Sequence, residues 1–444
     1  MKKLLVFVST SIFIFSTAVA VVGAPEASNE ELLKEIQALK VRILELETRL
    51  DRQEQKIKQT QTSTKEIQDK VEQVDANISR KQEGFPAVIA EGLKINAGAT
   101  MVIQGTDEIN ADDVSRQEAM TDASYSADLK IEKAFEDYGK AFLHLESGKG
   151  QGLEDELKVF SNVNQDAKDN EDVRVTEIWY EHYLKVLPLV LTFGKLKPTS
   201  YFDGNAFAHN ETTQFLGRMF KSSPTIEFPD NTVGVRLAFS PLDSLEFDLG
   251  SFDADADWED ILDETFSIGQ INIKPNLLNR KGNYRLLAWL SDREHTKWAG
   301  STNKKEKAYG FGLSFDQELT DSLGVFVRYG WQDPEQRLNG LTDDFSLVYS
   351  WSAGLELKGS LWSRKDDVFA LAVGEAIPSD DYKNAGTNLD AKSEGHFETY
   401  YRYKVNEHLS ISPDIQLIWN PYGRDAATDD ATINVYGMRA QVDF

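Results

Sequence analysis

Three patterns of apolar and polar residues follow one another along the chain. A mainly apolar stretch covers residues 4–22, and apolar residues then recur every three or four positions to about residue 74. After Gly84, apolar and polar residues alternate in many short segments. A repeat of three and four places one apolar stripe on a helix, whereas strict alternation gives a strand one apolar face. The patterns therefore predict a leader, a long helix and an all-β region.

The leader has the features of a secretory signal peptide. Lys2 and Lys3 precede the apolar stretch, and Ala18-Val19-Ala20 offers small residues for cleavage. A charged start, an apolar middle and a small-residue site are typical of exported proteins. We therefore predict a signal peptide at residues 1–24, with a retained membrane anchor as the alternative.

The second pattern predicts a coiled-coil stalk over residues 30–80. Two heptad positions carry the apolar side chains, namely Ile36, Ile43, Leu50, Ile57 and Val71 on one and Leu32, Leu39, Leu46, Ile67 and Val74 on the other. So narrow an apolar stripe is buried only when helices pair, so we expect self-association through this segment. The pattern leaves a dimer and a trimer open.

The third pattern predicts a transmembrane β-barrel at residues 89–444. In residues 345–358, for example, Phe345, Leu347, Tyr349 and Trp351 alternate with smaller or polar residues. Segments of about ten residues with one apolar face are the sequence signature of such barrels. Sixteen strands are predicted, at about 93–105, 125–134, 139–147, 174–185, 189–196, 233–240, 244–252, 269–274, 283–292, 308–317, 323–332, 345–358, 367–375, 396–405, 409–418 and 432–444.

The connections between these strands support a closed, membrane-embedded barrel. They are short after even strands, as at 241–243 and 406–408, and long after odd strands. An even strand number with short periplasmic turns and long external loops is the bacterial outer-membrane pattern. A soluble β-sandwich or propeller, the alternative, would explain the alternation but not this parity. The last strand ends at Phe444 with apolar residues at every second position, which predicts recognition by the barrel-insertion machinery.

Charge and composition exclude several other functions. The chain has 48 basic and 73 acidic residues, a formal net charge of -25 and no cysteine. Nucleic-acid binding requires a basic face, so we expect no nucleic-acid partner. No catalytic His-Glu-x-x-His, Gly-x-Ser-x-Gly or phosphate-binding glycine motif is present, so we expect neither an enzyme nor a cofactor. Acidic runs such as Asp253–Asp257 are expected in external loops near lipopolysaccharide, with calcium-loop spacing as a weaker alternative because Trp258 replaces the required glycine.

Two blocks of sequence resemble the carbohydrate-selective porin (OprB) family. The first runs from Phe193 to His209 (FGKLKPTSYFDGNAFAH) and continues through residues 213–217 and 229–234. The second comprises residues 398–403 (ETYYRY) and 411–421 (ISPDIQLIWNP). The resemblance covers most of residues 90–444 and implies a sixteen-stranded porin. The coiled coil departs from the plain sugar porins and is similar to family members that are tied to the cell wall, some of which are thought to pass ions or iron complexes.

Residues that select solutes in a porin face the lumen or lie on a loop folded into it. By alternation, the inward-facing strand residues that suit a sugar site are Arg236, Arg285, Trp289, Arg328, Glu398, Tyr400 and Arg402. The connection at 197–231 is rich in aromatic residues, so folding into the pore would bury them, and it adds Asp203, Asn205 and Arg218. The alternatives are charges that only solvate the lumen wall and a loop that caps the rim.

Together, these observations predict an outer-membrane porin for passive diffusion of small hydrophilic solutes, carbohydrates first. Two alternatives remain open. One is a porin for cations or iron complexes, which the acidic charge favours. The other is a structural tether between outer membrane and cell wall, with its stalk in the periplasm.

Overall fold

A computed structural model describes residues 91–444, except for 108, 111–118, 168–170, 278, 299–304, 337, 340–343, 385–390 and 424–431. It also describes Gln37 and Lys40, which are helical. Apart from those two residues, the predicted signal peptide and coiled coil lie outside the described residues. Within the described part of the chain, no helix is both long and apolar enough to cross a membrane.

The described chain is built from sixteen long antiparallel strands. In chain order they are β1 (Leu93–Thr106), β2 (Met120–Phe135), β3 (Gly139–Lys149), β4 (Arg174–Leu184), β5 (Leu189–Leu196), β6 (Thr232–Leu242), β7 (Leu245–Asp253), β8 (Thr265–Ile273), β9 (Arg280–Thr296), β10 (Lys305–Glu318), β11 (Leu323–Gln332), β12 (Leu347–Lys358), β13 (Val368–Pro378), β14 (Glu394–Lys404), β15 (Leu409–Trp419) and β16 (Ile433–Asp443).

The strands close into a barrel. Each strand pairs with its neighbours in sequence, and β1 also pairs with β16, with Ala99 opposite Val442 and Ile103 opposite Met438. Closure satisfies the backbone groups of the first and last strands, which would otherwise form open edges. The predicted sixteen-stranded antiparallel barrel is confirmed.

Side chains alternate between two unlike faces of the barrel wall. In β11, the outward positions carry Leu323, Val325, Val327, Tyr329 and Trp331. The inward positions are Gly324, Phe326, Arg328, Gly330 and Gln332, all of them buried. Burial on the inward side means that other parts of the chain fill the lumen at this height. An apolar exterior matches a lipid environment, where polar side chains are costly.

Some strands extend beyond their apolar segments. The strand predicted at 283–292 spans Arg280–Thr296, and the one predicted at 125–134 spans Met120–Phe135. The added residues are mostly polar, so alternation does not mark them, but the backbone pairing continues. Asn276–Leu277, Leu338–Asn339 and Asp344–Phe345 form further two-residue strands.

Helical structure is confined to short pieces in the connections. The α-helices are α1 (Arg218–Lys221) and α2 (Asp380–Asn384), and 3₁₀ turns occupy Pro198–Ser200, Gly359–Trp362 and Pro421–Gly423. The long connections all join an odd strand to the next even strand, so they lie at one end of the barrel, here called the loop end. The opposite end, with the short connections, is called the turn end.

Candidate functional site: a loop inside the barrel

The connection from β5 to β6, residues 197–231, lies inside the barrel and is called the inner loop. Its apolar side chains belong to two buried clusters, one with Phe202 and one with Phe215, Met219 and Phe220, and all four are at most 1% exposed. Phe215 contacts the inward-facing Phe326 and Tyr400, with ring centroids 5.8 and 5.1 Å apart. Burial of this much apolar surface provides the main driving force for folding the loop inward.

A buried ion pair joins the inner loop to β11. Arg328 Nε donates to Asp203 Oδ1 at 3.1 Å, and both side chains are 1% exposed. The same guanidinium donates to the carbonyl oxygens of Asp203 and Phe220. Asp203 Oδ2 in turn accepts the Ser223 amide at 2.7 Å. These bonds satisfy both charges and fix two distant parts of the loop to one strand.

Inward-facing side chains of two further strands, β14 and β16, form hydrogen bonds with the backbone of the inner loop. Glu398 on β14 accepts the amides of Leu216 at 2.6 Å and Gly217 at 3.0 Å. Arg402, on the same strand, donates to Thr213 O at 3.1 Å, and Arg439 on β16 donates to the carbonyls of Glu211 and Gln214. Tyr400 is 2% exposed. The polar groups of Glu398 and Arg439 therefore serve the loop backbone and are covered by it.

Three more of the predicted site residues, Asn205 on the inner loop and Arg285 and Trp289 on β9, are also largely buried. Asn205 donates to Ser314 Oγ and to Phe315 O, both at 3.3 Å. Arg285 pairs with Asp316 at 2.6 Å beside Gly204. Trp289 is 4% exposed and stacks on Phe266, with ring centroids 5.8 Å apart.

The wall that receives the inner loop is lined with small residues. On β13 the inward positions are Val368, Ala370, Ala372, Gly374 and Ala376. On β11, a Cβ added at Gly330 would lie 2.1 Å from Thr225 Oγ1 and 2.5 Å from Ser223 Oγ. Any larger side chain at position 330 would collide with these hydroxyl groups of the inner loop, so glycine is required here. This run of small inward-facing residues is the sequence signal for the docking wall, and the alternation analysis did not use it.

A second connection, residues 150–173, packs beside the inner loop. Gln165 N donates to Leu216 O at 2.9 Å, and Arg218 N donates to Asn162 O at 3.0 Å. Glu154 shapes this segment by accepting the amides of Val163 and Asn164 at 3.0 and 2.7 Å. Burial raises the pKa of Glu154 to about 8. Its carboxyl group is therefore mostly protonated at neutral pH.

Two open cavities remain beside these loops, and Arg218 borders both. The larger, about 480 Å³, lies against β3, β4 and β5, and the smaller, about 380 Å³, lies against the loop-end part of β9. No hydrogen bond or ion pair joins the Arg218 guanidinium to another residue in the described part of the chain. Volumes of this size are typical of small-molecule sites. The Arg218 guanidinium, which the nearby Glu154 carboxyl group attracts electrostatically, thus lies where the two cavities meet.

A cationic cluster extends from Arg218 along the larger cavity. Lys197 and Lys221 lie 3.5 and 3.6 Å from the same Glu211 carboxylate. Burial raises the pKa of Glu211, but the two ammonium groups outweigh that effect and hold the pKa below its ordinary value. Burial lowers the pKa of Lys221 to about 8. The alternation analysis missed this cluster because its members lie on an irregular loop.

Nearer the turn end, the lumen wall between β2 and β7 carries a row of charges. Arg236 pairs with Asp248 and lies 3.9 Å from Glu181, and Lys140 lies 3.7 Å from Glu181 and 3.6 Å from Glu132. These inward-facing side chains range from nearly buried to partly exposed. Of the predicted strand residues, Arg236 is the one that belongs to this wall.

The acidic run at the loop end brings three carboxylates together. Oxygen atoms of Asp253, Asp255 and Asp257 lie within 4.8 Å of one another. Glu264, which follows Asp253 at the calcium-loop spacing in the sequence, lies 4.0 Å from Arg293 instead.

A sixteen-stranded barrel narrowed by an inward-folded loop is the architecture of a porin. The family described as "Carbohydrate-selective porin, OprB family" matches residues 115–444, and the chain belongs to this family.

Individual relatives are distant. Porin AaxA of Chlamydia abortus is 24% identical over 262 residues, which cover 57% of this chain and 53% of that protein. The chain thus spans about half the length of this relative. An uncharacterized protein of Aquifex aeolicus is 24% identical over 309 residues, covering 69% of this chain and 79% of that protein. The high-pH structure of Pseudomonas putida OprB superposes with a TM-score of 0.69 at 16% identity, over 80% of this chain and 95% of that one, and this likeness shows the fold.

Proposed function

We propose that the protein is an outer-membrane porin through which small hydrophilic solutes, carbohydrates foremost, diffuse passively. The observation that carries this proposal is the inner loop, which fills part of the lumen and leaves open the two cavities that Arg218 borders. A path bordered by both cations and carboxylates, among them Arg218, Lys197 and Glu211, suits neutral, hydroxyl-rich solutes, because their oxygens accept from cations and their hydroxyls donate to carboxylates. Family membership supports the same substrate class.

The predicted site residues divide into two proposed roles. Arg218 and Arg236 are proposed to contact the solute. Asp203, Asn205, Arg285, Arg328, Glu398, Tyr400 and Arg402 are proposed as positioning residues that hold the inner loop or pack against it, and Trp289 as a packing residue beside it. This division follows from their burial and hydrogen bonds, which leave the second group little access to the lumen.

Swelling of liposomes that contain the full chain tests the proposal. Neutral monosaccharides are expected to enter at measurable rates, and rates should fall as sugar size increases. An Arg218→Met variant should alter the relative rates of differently sized sugars, because it changes the junction of the two cavities. Entry of salts without entry of any sugar would contradict the proposal and favour the alternative of a porin for cations or iron complexes.

A further inference from the structure

Three aromatic side chains line the lumen between the inner loop and the turn end. Phe142 on β3 and Trp179 on β4 are register partners, and their rings stack with centroids 4.9 Å apart and an interplanar angle of 28°. Tyr201, at the start of the inner loop, meets Trp179 edge to face at 6.4 Å. All three side chains are only partly buried. We call these three residues the aromatic platform.

The platform is unusual because the inward positions of β2 to β7 are otherwise mainly polar or charged. Lys140, His144 and Glu146 flank Phe142 on the inward face of β3, and Glu177 and Glu181 flank Trp179 on β4. Elsewhere in the described lumen, aromatic rings such as Phe215 and Phe326 are buried in contacts between the inner loop and the wall. Trp179 and Tyr201 pack in part against the buried cluster that includes Phe202 and Phe252, and all three platform residues keep some surface exposed in the lumen.

Charged groups lie directly beside the rings. Lys140 Nζ is 5.5 Å from the centre of the Trp179 ring, and Arg236 Cζ is 4.8 Å from that of Tyr201. Both cations also approach Glu181, so donors and acceptors alternate along one edge of the platform. Because each charge already has a partner, the row does not attract one sign of ion strongly, but its members can still bind hydroxyl groups.

Partly exposed aromatic rings beside alternating donors and acceptors are complementary to a pyranose ring. One face of such a ring exposes C–H groups that pack on aromatic rings, while its edge carries hydroxyls. Resting on the proposed function, we infer that the aromatic platform with Lys140, Glu181 and Arg236 is a binding subsite for cyclic sugars on the periplasmic side of the inner loop. The subsite distinguishes a ring from an open-chain polyol, because only the ring has a flat face.

Single-channel recordings with D-glucose and sorbitol test this inference. Both carry many hydroxyls, but sorbitol has no ring. For the wild-type protein, the concentration of D-glucose that half-blocks the ion current should be roughly two- to tenfold lower than that of sorbitol, the range expected for one good aromatic contact. Trp179→Leu should raise the D-glucose value until the two solutes differ by less than about twofold.

The matched control is Trp331→Leu on the outer face of the barrel. Trp331 stacks on Phe311 with centroids 5.5 Å apart and an interplanar angle of 26°, which is nearly the geometry of the platform pair. This variant should keep the wild-type ratio of the two solutes. Phe142→Leu provides a second platform variant, and resistance of the unheated barrel to sodium dodecyl sulfate reports folding of each protein.

The outcomes separate the two proposals. If folded Trp179→Leu and Phe142→Leu proteins both keep the wild-type preference for D-glucose, the subsite is overturned, while the proposed function stands as long as sugars still enter liposomes. If D-glucose does not enter liposomes that contain the wild-type protein, the proposed function and the subsite fail together.

Discussion

At the scale of single residues, Arg328 shows how an inward-facing charge can serve structure. Its guanidinium and the Asp203 carboxylate are both buried, and their bonds connect β11 with two parts of the inner loop. Loss of one member of a buried pair leaves the other charge uncompensated, which costs about 3–5 kcal/mol in comparable cases.

The variant Arg328→Met is therefore expected to loosen the inner loop and to admit larger sugars in liposome swelling. Arg280→Met is the matched control, because Arg280 lines neither cavity and pairs with Asp321, whose side chain is 85% exposed, and such exposed pairs contribute little to stability. Combining Arg328→Met with Asp203→Asn should cost less than the sum of the single changes, because the uncompensated carboxylate is removed. Unchanged size selectivity in Arg328→Met would show that the ion pair does not hold the loop.

Glu154 makes the 150–173 connection sensitive to pH. Its pKa of about 8 in the folded protein exceeds its ordinary value of 4.5, because burial disfavours the carboxylate. A raised carboxyl pKa means that the folded state binds more protons than the unfolded state between these two values. Its contribution to stability is thus fully present below about pH 4.5, falls as the pH rises to about 8, and then levels off.

The variant Glu154→Gln should remove this component of the pH dependence. The amide oxygen can still accept the bonds from Val163 and Asn164, but the side chain does not ionise. Thermal unfolding in detergent from pH 5 to pH 9 should show a smaller loss of stability in the variant than in the wild-type protein. Parallel curves for the two proteins would mean that Glu154 does not ionise in this range.

At the scale of elements, the inner loop depends on the small residues of the wall that receives it. The hydroxyls of Ser223 and Thr225 both bond to Ser350 beside Gly330, so a larger side chain there must displace them. We expect Gly330→Val to push the loop from the wall and to change single-channel conductance and its noise. Gly269→Val on the outer face is the control, because its Cβ would lie 3.2 Å from the exposed Leu249 side chain and no closer than 4.0 Å to Asp248 O. Equal conductance and noise in the two variants would contradict the packing of the inner loop against the wall at Gly330.

The strands could be predicted from the sequence, but the path of the inner loop could not. Alternation identified the strands and their inward faces, because a period of two follows directly from strand geometry. It could not show which inward residues the inner loop would cover, because that depends on the loop path. Glu398 and Arg218 were therefore predicted together, although Glu398 is fully buried and Arg218 borders both cavities. The small inward residues of β13 would have indicated which wall is covered.

At the scale of the whole molecule, the barrel divides into a covered and an open side. The inner loop binds β11, β14 and β16, whereas the larger cavity and the aromatic platform lie along β3, β4 and β5. The inner loop therefore narrows the lumen, and the wall that stays uncovered differs in its side chains from the wall that the loop covers. The parity of long and short connections predicted the closed barrel, but the asymmetry depends on tertiary contacts between residues more than a hundred positions apart.

Single-channel recording of the full chain in a planar lipid bilayer tests the central claim most directly. The account predicts discrete, stable conductance steps that decrease when D-glucose is added, because water fills the open side of a closed barrel and a sugar can occupy it. A protein that gives no conductance steps, or that stays in aqueous solution without detergent, would contradict a membrane-spanning pore.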